Sequence, residues 1–110
     1  MAGLTKIEKV AVNDLVARLR KRLGRRLAEI RFYGSKARKR GGPNSDIDLL
    51  VLVARHTAGI REEIFTEVSA VMLQYDVMLD VHVMSRREMR ELMRLGTLYA
   101  RMVQKEGILL

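Results

Sequence analysis

The sequence predicts a small α+β domain: a mixed sheet of three to four strands with helices packed mainly on one face. Three observations carry this expectation. Segments 46–54 and 76–84 alternate apolar and polar residues with the period of two that a half-buried strand requires. Segments 5–23 and 59–74 repeat their aliphatics at the three-to-four-residue spacing of an amphipathic helix. The stretch from Tyr33 to Asp46 is too short for a long helical crossover, so the sheet is expected to contain an antiparallel pair.

Taken in order, Ile7, Val10, Ala11, Leu15, Leu19 and Leu23 mark the buried side of the first helix, and Gly24 ends it. Residues 28–33 are short, β-branched and aromatic, and read as a strand. In 46–54, Ile47, Leu49, Val51 and Val53 line one face while Asp46, Asp48, Leu50 and Leu52 line the other. Helix 59–74 carries Ile60, Ile64, Val68, Val71 and Met72 on one side. In 76–84, Val77, Leu79, Val81 and Val83 face one way and Asp76, Met78, Asp80 and His82 the other, with Asp76 as the turn residue that begins the strand. Ser85-Arg86-Arg87-Glu88 has capping-box spacing and announces a helix with Met89, Leu92 and Met93. A last helix at 98–105 stops at Gly107 and leaves the apolar tail Ile108-Leu109-Leu110. The strongest turn chemistry, Gly41-Gly42-Pro43-Asn44, lies inside the domain, so residues 1–110 are read as one unit.

An apolar share of 48% excludes a disordered chain, and 110 residues give room for one core. The absence of cysteine removes disulfides and thiolate metal sites, leaving carboxylates, His56 and His82 as ligands. Oxygen ligands favour hard ions such as Mg²⁺ or Mn²⁺. Residues 1–9 lack the apolar run of a signal peptide, and no window approaches the roughly 18 apolar residues of a membrane span. The expected location is cytoplasmic, with no membrane partner. The net charge of +8 concentrates in Arg18 to Arg26 and in Lys36 to Arg40. For the first cluster a solvated helix end, complementing the macrodipole, is preferred over a nucleic-acid surface.

The chemistry-bearing pattern is Gly34-Ser35, ten residues, then Asp46-Ile47-Asp48. Two aspartates at i and i+2 on a strand emerge on one face, where their mutual repulsion demands a cation. Asp80 sits alone among aliphatics on the polar face of another strand. Three carboxylates from two strands can hold two divalent ions about 3.5–4 Å apart, the arrangement that clamps an in-line phosphoryl-type displacement. Gly34, directly after a strand, permits close approach of backbone to phosphate, and Ser35 offers donors at the opening of a helical turn. Lys36, Arg38, Lys39 and Arg40 would then neutralise a triphosphate.

Gly34-Ser35-Lys36-Ala37-Arg38 followed by Ser45-Asp46-Ile47-Asp48-Leu49-Leu50-Val51 resembles the signature of the polymerase-beta-type nucleotidyltransferases. The small size resembles their minimal prokaryotic branch. The resemblance covers about 28–84 and implies the nucleotidyltransferase fold and transfer of a nucleotidyl group, usually from ATP, with release of pyrophosphate. By the same resemblance Asp46 and Asp48 would bind both Mg²⁺ ions, with Mn²⁺ as a substitute. Asp80 would bind one metal and favour deprotonation of the acceptor hydroxyl. Gly34 and Ser35 would hold the β- and γ-phosphates. Lys39 and Arg40 depart from the family pattern, which often has glycine and an acidic residue there. For Arg38, pairing with phosphate and lying in solvent are evenly matched readings.

Lesser features have plainer readings. His82 is expected to be a partly buried structural histidine, His56 an exposed loop residue, and Tyr33 a sheet residue beside the site. Larger relatives carry an acceptor-binding domain for which this chain has no room. The minimal branch resembles the antitoxin half of two-gene systems whose partner is a HEPN-type toxin, which implies adenylylation of a toxin tyrosine. A homodimer completing the acceptor surface is the variant of this reading. A non-enzymatic antitoxin, binding through 108–110 and the basic first helix, is the alternative. Transfer to an RNA end is the third, weakened by the scarcity of aromatic residues for base stacking.

Overall fold

The computed structural model describes residues 1, 3–42 and 45–110. Helix α1, Lys6–Leu23, begins at a capping box in which Thr5 Oγ1 accepts from the Glu8 N–H and the Glu8 carboxylate accepts from the Thr5 N–H. This satisfies two of the main-chain donors that a helix start leaves unpaired. A 3₁₀ turn, Gly24–Arg26, leads into strand β1, Leu27–Tyr33, and a single helical turn α2, Gly34–Ala37. Strand β2, Ile47–Val53, follows, then helix α3, Ala58–Tyr75, and strand β3, Leu79–Ser85. Helices α4, Arg86–Arg94, and α5, Leu98–Glu106, precede a two-residue strand β4, Ile108–Leu109. Part of the expected Gly41-to-Asn44 turn, Pro43 and Asn44, lies outside the described residues. Ser45 N–H does donate to the Gly42 carbonyl, at 3.1 Å.

The sheet order is β3-β2-β1-β4. β1 runs antiparallel to β2 and to β4, while β2 and β3 are parallel and joined across α3. The sheet is therefore mixed, for the reason the short 33–46 connection gave. Alternation fixes both faces. Ile47, Leu49, Val51 and Val53 are each 0% exposed and pack with α1 and α3. Leu50 and Leu52 point the other way and are covered by Met89 of α4 and by Ala100 and Val103 of α5. The two long helices thus share one face, and the two short ones close only part of the other. Each fully buried aliphatic in the larger layer contributes on the order of 2 kcal/mol by leaving water.

Two boundaries differ from the sequence reading. Asp76 does not begin a strand: it caps α3 in the left-handed conformation, φ 54° and ψ 50°, which Asp tolerates better than most residues. The tail is not loose, since Ile108 and Leu109 pair with Phe32 and Arg31 on the outer edge of β1. Among the described residues no helix is long and apolar enough to cross a membrane.

Candidate active site

Strand register assembles the site. Tyr33 on β1 lies opposite Asp48 on β2, and Asp48 lies beside Asp80 on β3. Because the three share one register row, their side chains rise from the same face, Tyr33 under α5 and the two aspartates less covered. Asp46 stands exposed one residue before β2 begins. The expected convergence of three carboxylates is therefore an adjacent pair with the third at the strand mouth. Among the described residues no three acidic or histidine side chains close into a metal-binding group.

The electrostatics of the row still call for a cation. Asp48 is half-buried, and its carboxyl is pushed above its ordinary range by burial first, then by the charge of Asp80, then by that of Asp46. Among the described residues no lysine or arginine pairs with any of the three. His82 stands beside the pair, its Nε2 3.4 Å from Asp80 Oδ1. A hard divalent ion suits this donor set of carboxylate oxygens.

Gly34 closes the site from the β1 side. Its φ of +84° is a conformation that side-chain-bearing residues rarely adopt, and a Cβ there would lie 2.1 Å from Asp48 Oδ2. Only glycine lets the loop reach the carboxylate. Ser35 follows in α2, and its carbonyl accepts the Arg40 and Gly41 N–H groups at 2.8 and 3.2 Å, which folds the basic loop back on itself. Lys39 sits at φ +60° within that loop, the left-handed conformation that side-chain-bearing residues adopt uncommonly.

Several expectations change here. Lys36 does not face a phosphate: it is 3% exposed and ion-paired with Glu8 beneath the α1 cap. That pairing holds the Glu8 carboxyl below its usual value against the opposing effect of burial. Arg38 donates to Glu106 Oε2 of α5 at 3.1 Å. His82 is exposed, not partly buried. The Arg18-to-Arg26 cluster is not simply a solvated end, because Arg18 and Arg22 pair with Glu67, and Arg22 and Arg26 with Glu63. His56 is exposed as expected and bonds Glu88 through Nδ1 at 2.8 Å.

The residue that sequence reasoning missed is Tyr99. Its hydroxyl bonds the Tyr33 hydroxyl at 3.2 Å, the two rings meet edge-on at 5.7 Å, and His82 lies 6.1 Å from the Tyr99 ring. Burial, above all, pushes both phenols up and holds them protonated, and the charges of Asp48 and Asp80 add to it. Nothing in the spacing of α5 announces this placement. The Thr5-to-Glu8 capping box, by contrast, has a spacing that the sequence displays.

A model of the nucleotidyltransferase domain matches residues 12–110. Among solved structures, the chain is similar to a crystal structure described as the toxin–antitoxin MntA–HpeT with one tyrosine changed to alanine. Identity is 21%, the TM-score is 0.54, and the match covers 89% of this chain and 70% of that one. A second MntA–HpeT structure, with two aspartates two positions apart changed to glutamate, matches at 19% identity and TM-score 0.52, covering 86% and 67%. At these identities the likeness concerns the fold. No curated protein matches the sequence.

Proposed function

This chain belongs to the nucleotidyltransferase domain family, and from that premise we propose that it moves a nucleotidyl group from ATP to a hydroxyl on a protein partner. The observation that supports the reading most directly is the register row Tyr33–Asp48–Asp80 with the Gly34 loop seated against Asp48. Residues 1–110 act in this reading as one minimal domain. Asp46, Asp48 and Asp80 are the residues that would hold two Mg²⁺ ions, or Mn²⁺, and such ions would supply neutralisation of phosphate charge and acidification of the acceptor hydroxyl. Gly34 and Ser35 present main-chain and hydroxyl donors to the β- and γ-phosphates. Asp80, on the open side of the row, receives the acceptor's proton as its oxygen attacks the α-phosphorus, and pyrophosphate leaves. Arg38 contributes to nucleotide binding only if its guanidinium leaves Glu106.

The partner proposed is a HEPN-type toxin, with the chain as its antitoxin. The support is the sequence resemblance to the minimal branch together with a fold shared with proteins described as a toxin–antitoxin pair. Two features that would favour inhibition by binding alone are already engaged: the 108–109 tail lies in the sheet, and Arg18 and Arg22 of the basic helix, with Arg26 just after it, pair with α3. The same pairing weakens transfer to an RNA end.

The test is to incubate the chain with Mg²⁺, labelled ATP and the protein encoded beside it, then to repeat with Asp46→Ala. Label should appear on the partner with the wild type and disappear with the variant. Label that survives the substitution overturns the assignment.

A further inference from the structure

The active row ends on an edge. β3 is the outermost strand on its side of the sheet, and no other strand among the described residues pairs with its outer side. Its register with β2 runs unbroken from Ile47↔Leu79 to Val53↔Ser85. The segment Leu79–Ser85 contains no proline, no lysine and no bulge, the devices that ordinarily blunt an edge against pairing. Ile47 N–H donates to the Met78 carbonyl, so residues 78, 80 and 82 turn their main-chain groups toward β2. By alternation Leu79, Val81 and Val83 turn theirs outward. The Leu79 N–H is taken by Met72 Sδ at 3.5 Å, while no such contact reaches Val81 or Val83 among the described residues.

We propose that the acceptor protein enters as an extended segment that adds to the free edge of β3, its main chain bonding Val81 and Val83. The inference rests on the nucleotidyl-transfer reading above and deepens it by naming how the acceptor is held. An added strand places its side chains in register with those of β3. A residue opposite Asp80 then has its Cβ about 5 Å from that of Asp80 and rises from the same face. A hydroxyl on that residue reaches the one carboxylate on the open side of the row. Val81 and Val83, whose side chains are buried in the core, hold the edge straight from below. Charge selects the segment as well. Arg86, Arg87 and Arg90 stand exposed just past the end of β3 and join no ion pair among the described residues. The occupant is thus an extended, acid-flanked polypeptide carrying a hydroxyl, not a second copy of this strongly basic chain.

The experiment uses the full chain, Mg²⁺, labelled ATP and the protein encoded beside it. Val83→Pro removes one outward N–H from an edge position where proline is tolerated. It should raise the KM for the acceptor about tenfold, the loss of one main-chain hydrogen bond, while leaving Mg²⁺–nucleotide binding unchanged. Amide hydrogen exchange on the wild type is the second measurement, and it stands even where the proline variant fails to fold. The Val81 and Val83 amides should slow at least several-fold when the partner is added. Labelling with an unchanged KM, or with no added protection at these two amides, overturns the proposal while nucleotidyl transfer stands. A dimer of this chain alone that protects the same amides also overturns it, by assigning the edge to a second copy. Failure of the wild type to label the partner at all removes the functional reading on which the proposal rests.

Discussion

The two faces of β2 are cut from alternate residues of one seven-residue run, yet they do opposite work. Ile47, Leu49, Val51 and Val53 are sealed from water between the sheet and the long helices. Asp48, one position along, is half-buried beside Asp80, and burial and like charge together drive its carboxyl toward the neutral form. One face gathers only apolar contacts that favour folding; the other adds to Leu50 and Leu52 a charge at Asp48 that opposes it. A site of crowded carboxylates persists because the opposite face of the same strand over-determines where the backbone lies.

The comparison can be broken most sharply at Asp48 itself. Asp48→Asn should lower nucleotidyl transfer by about 10³-fold, roughly 4 kcal/mol of barrier. It should leave the metal-free melting temperature unchanged or higher, since it removes an uncompensated charge. A metal-free variant that melts well below wild type would show that this carboxylate stabilises the fold.

The reciprocal substitution is Leu49→Ala on the sealed face. It should cost about 3 kcal/mol of stability in denaturant unfolding, while transfer per folded molecule stays near wild type. A large drop in specific activity at unchanged stability would place function on both faces.

Lys36 and Glu8 sharpen the same contrast, because theirs is a buried charge that is compensated. Lys36→Met should destabilise by about 2–3 kcal/mol by stranding the Glu8 carboxylate. The sign with pH follows from the lowered carboxyl of Glu8. Its contribution is present above the unfolded value near 4.5 and is lost as the pH falls through the lower folded value. Urea midpoints of wild type and Glu8→Gln should therefore converge as the pH drops below about 4. Midpoints that remain parallel would remove the ion pair from the account.

Arg22→Ala should have the smallest effect. It opens one rung of the exposed ladder between α1 and α3, so the melting temperature should fall slightly at low salt and not at all at high salt.

Much of this was legible in the chain. Strict alternation in 47–53 and 79–85 fixed both faces, and the Gly34-Ser35 to Asp46-Ile47-Asp48 spacing located the carboxylates. What stayed hidden depended on partners distant in sequence. Ile108 and Leu109 make a strand too short to show a period, and only the free edge of β1 turns them into one. Lys36 looked like one more cation of a basic loop until Glu8, 28 positions away, was placed against it. Tyr99 reaches Tyr33 across 66 positions. The arginine ladder was half-visible: Arg18, Arg22 and Arg26 recur every four residues, as do Glu63 and Glu67, but the facing of two helices is a tertiary fact.

The parallel pairing of β2 with β3 has a further consequence, for the order of events in folding. Asp48 and Asp80 are adjacent in space but separated by all of α3, so they meet only after a long loop has closed. The antiparallel β1–β2 pair can form earlier, over a shorter loop. A nascent or partly unravelled chain then carries Asp46 and Asp48 without their neighbour. Competence for chemistry arrives only when β3 has docked beside β2, so the enzyme is silent until that parallel pair has formed.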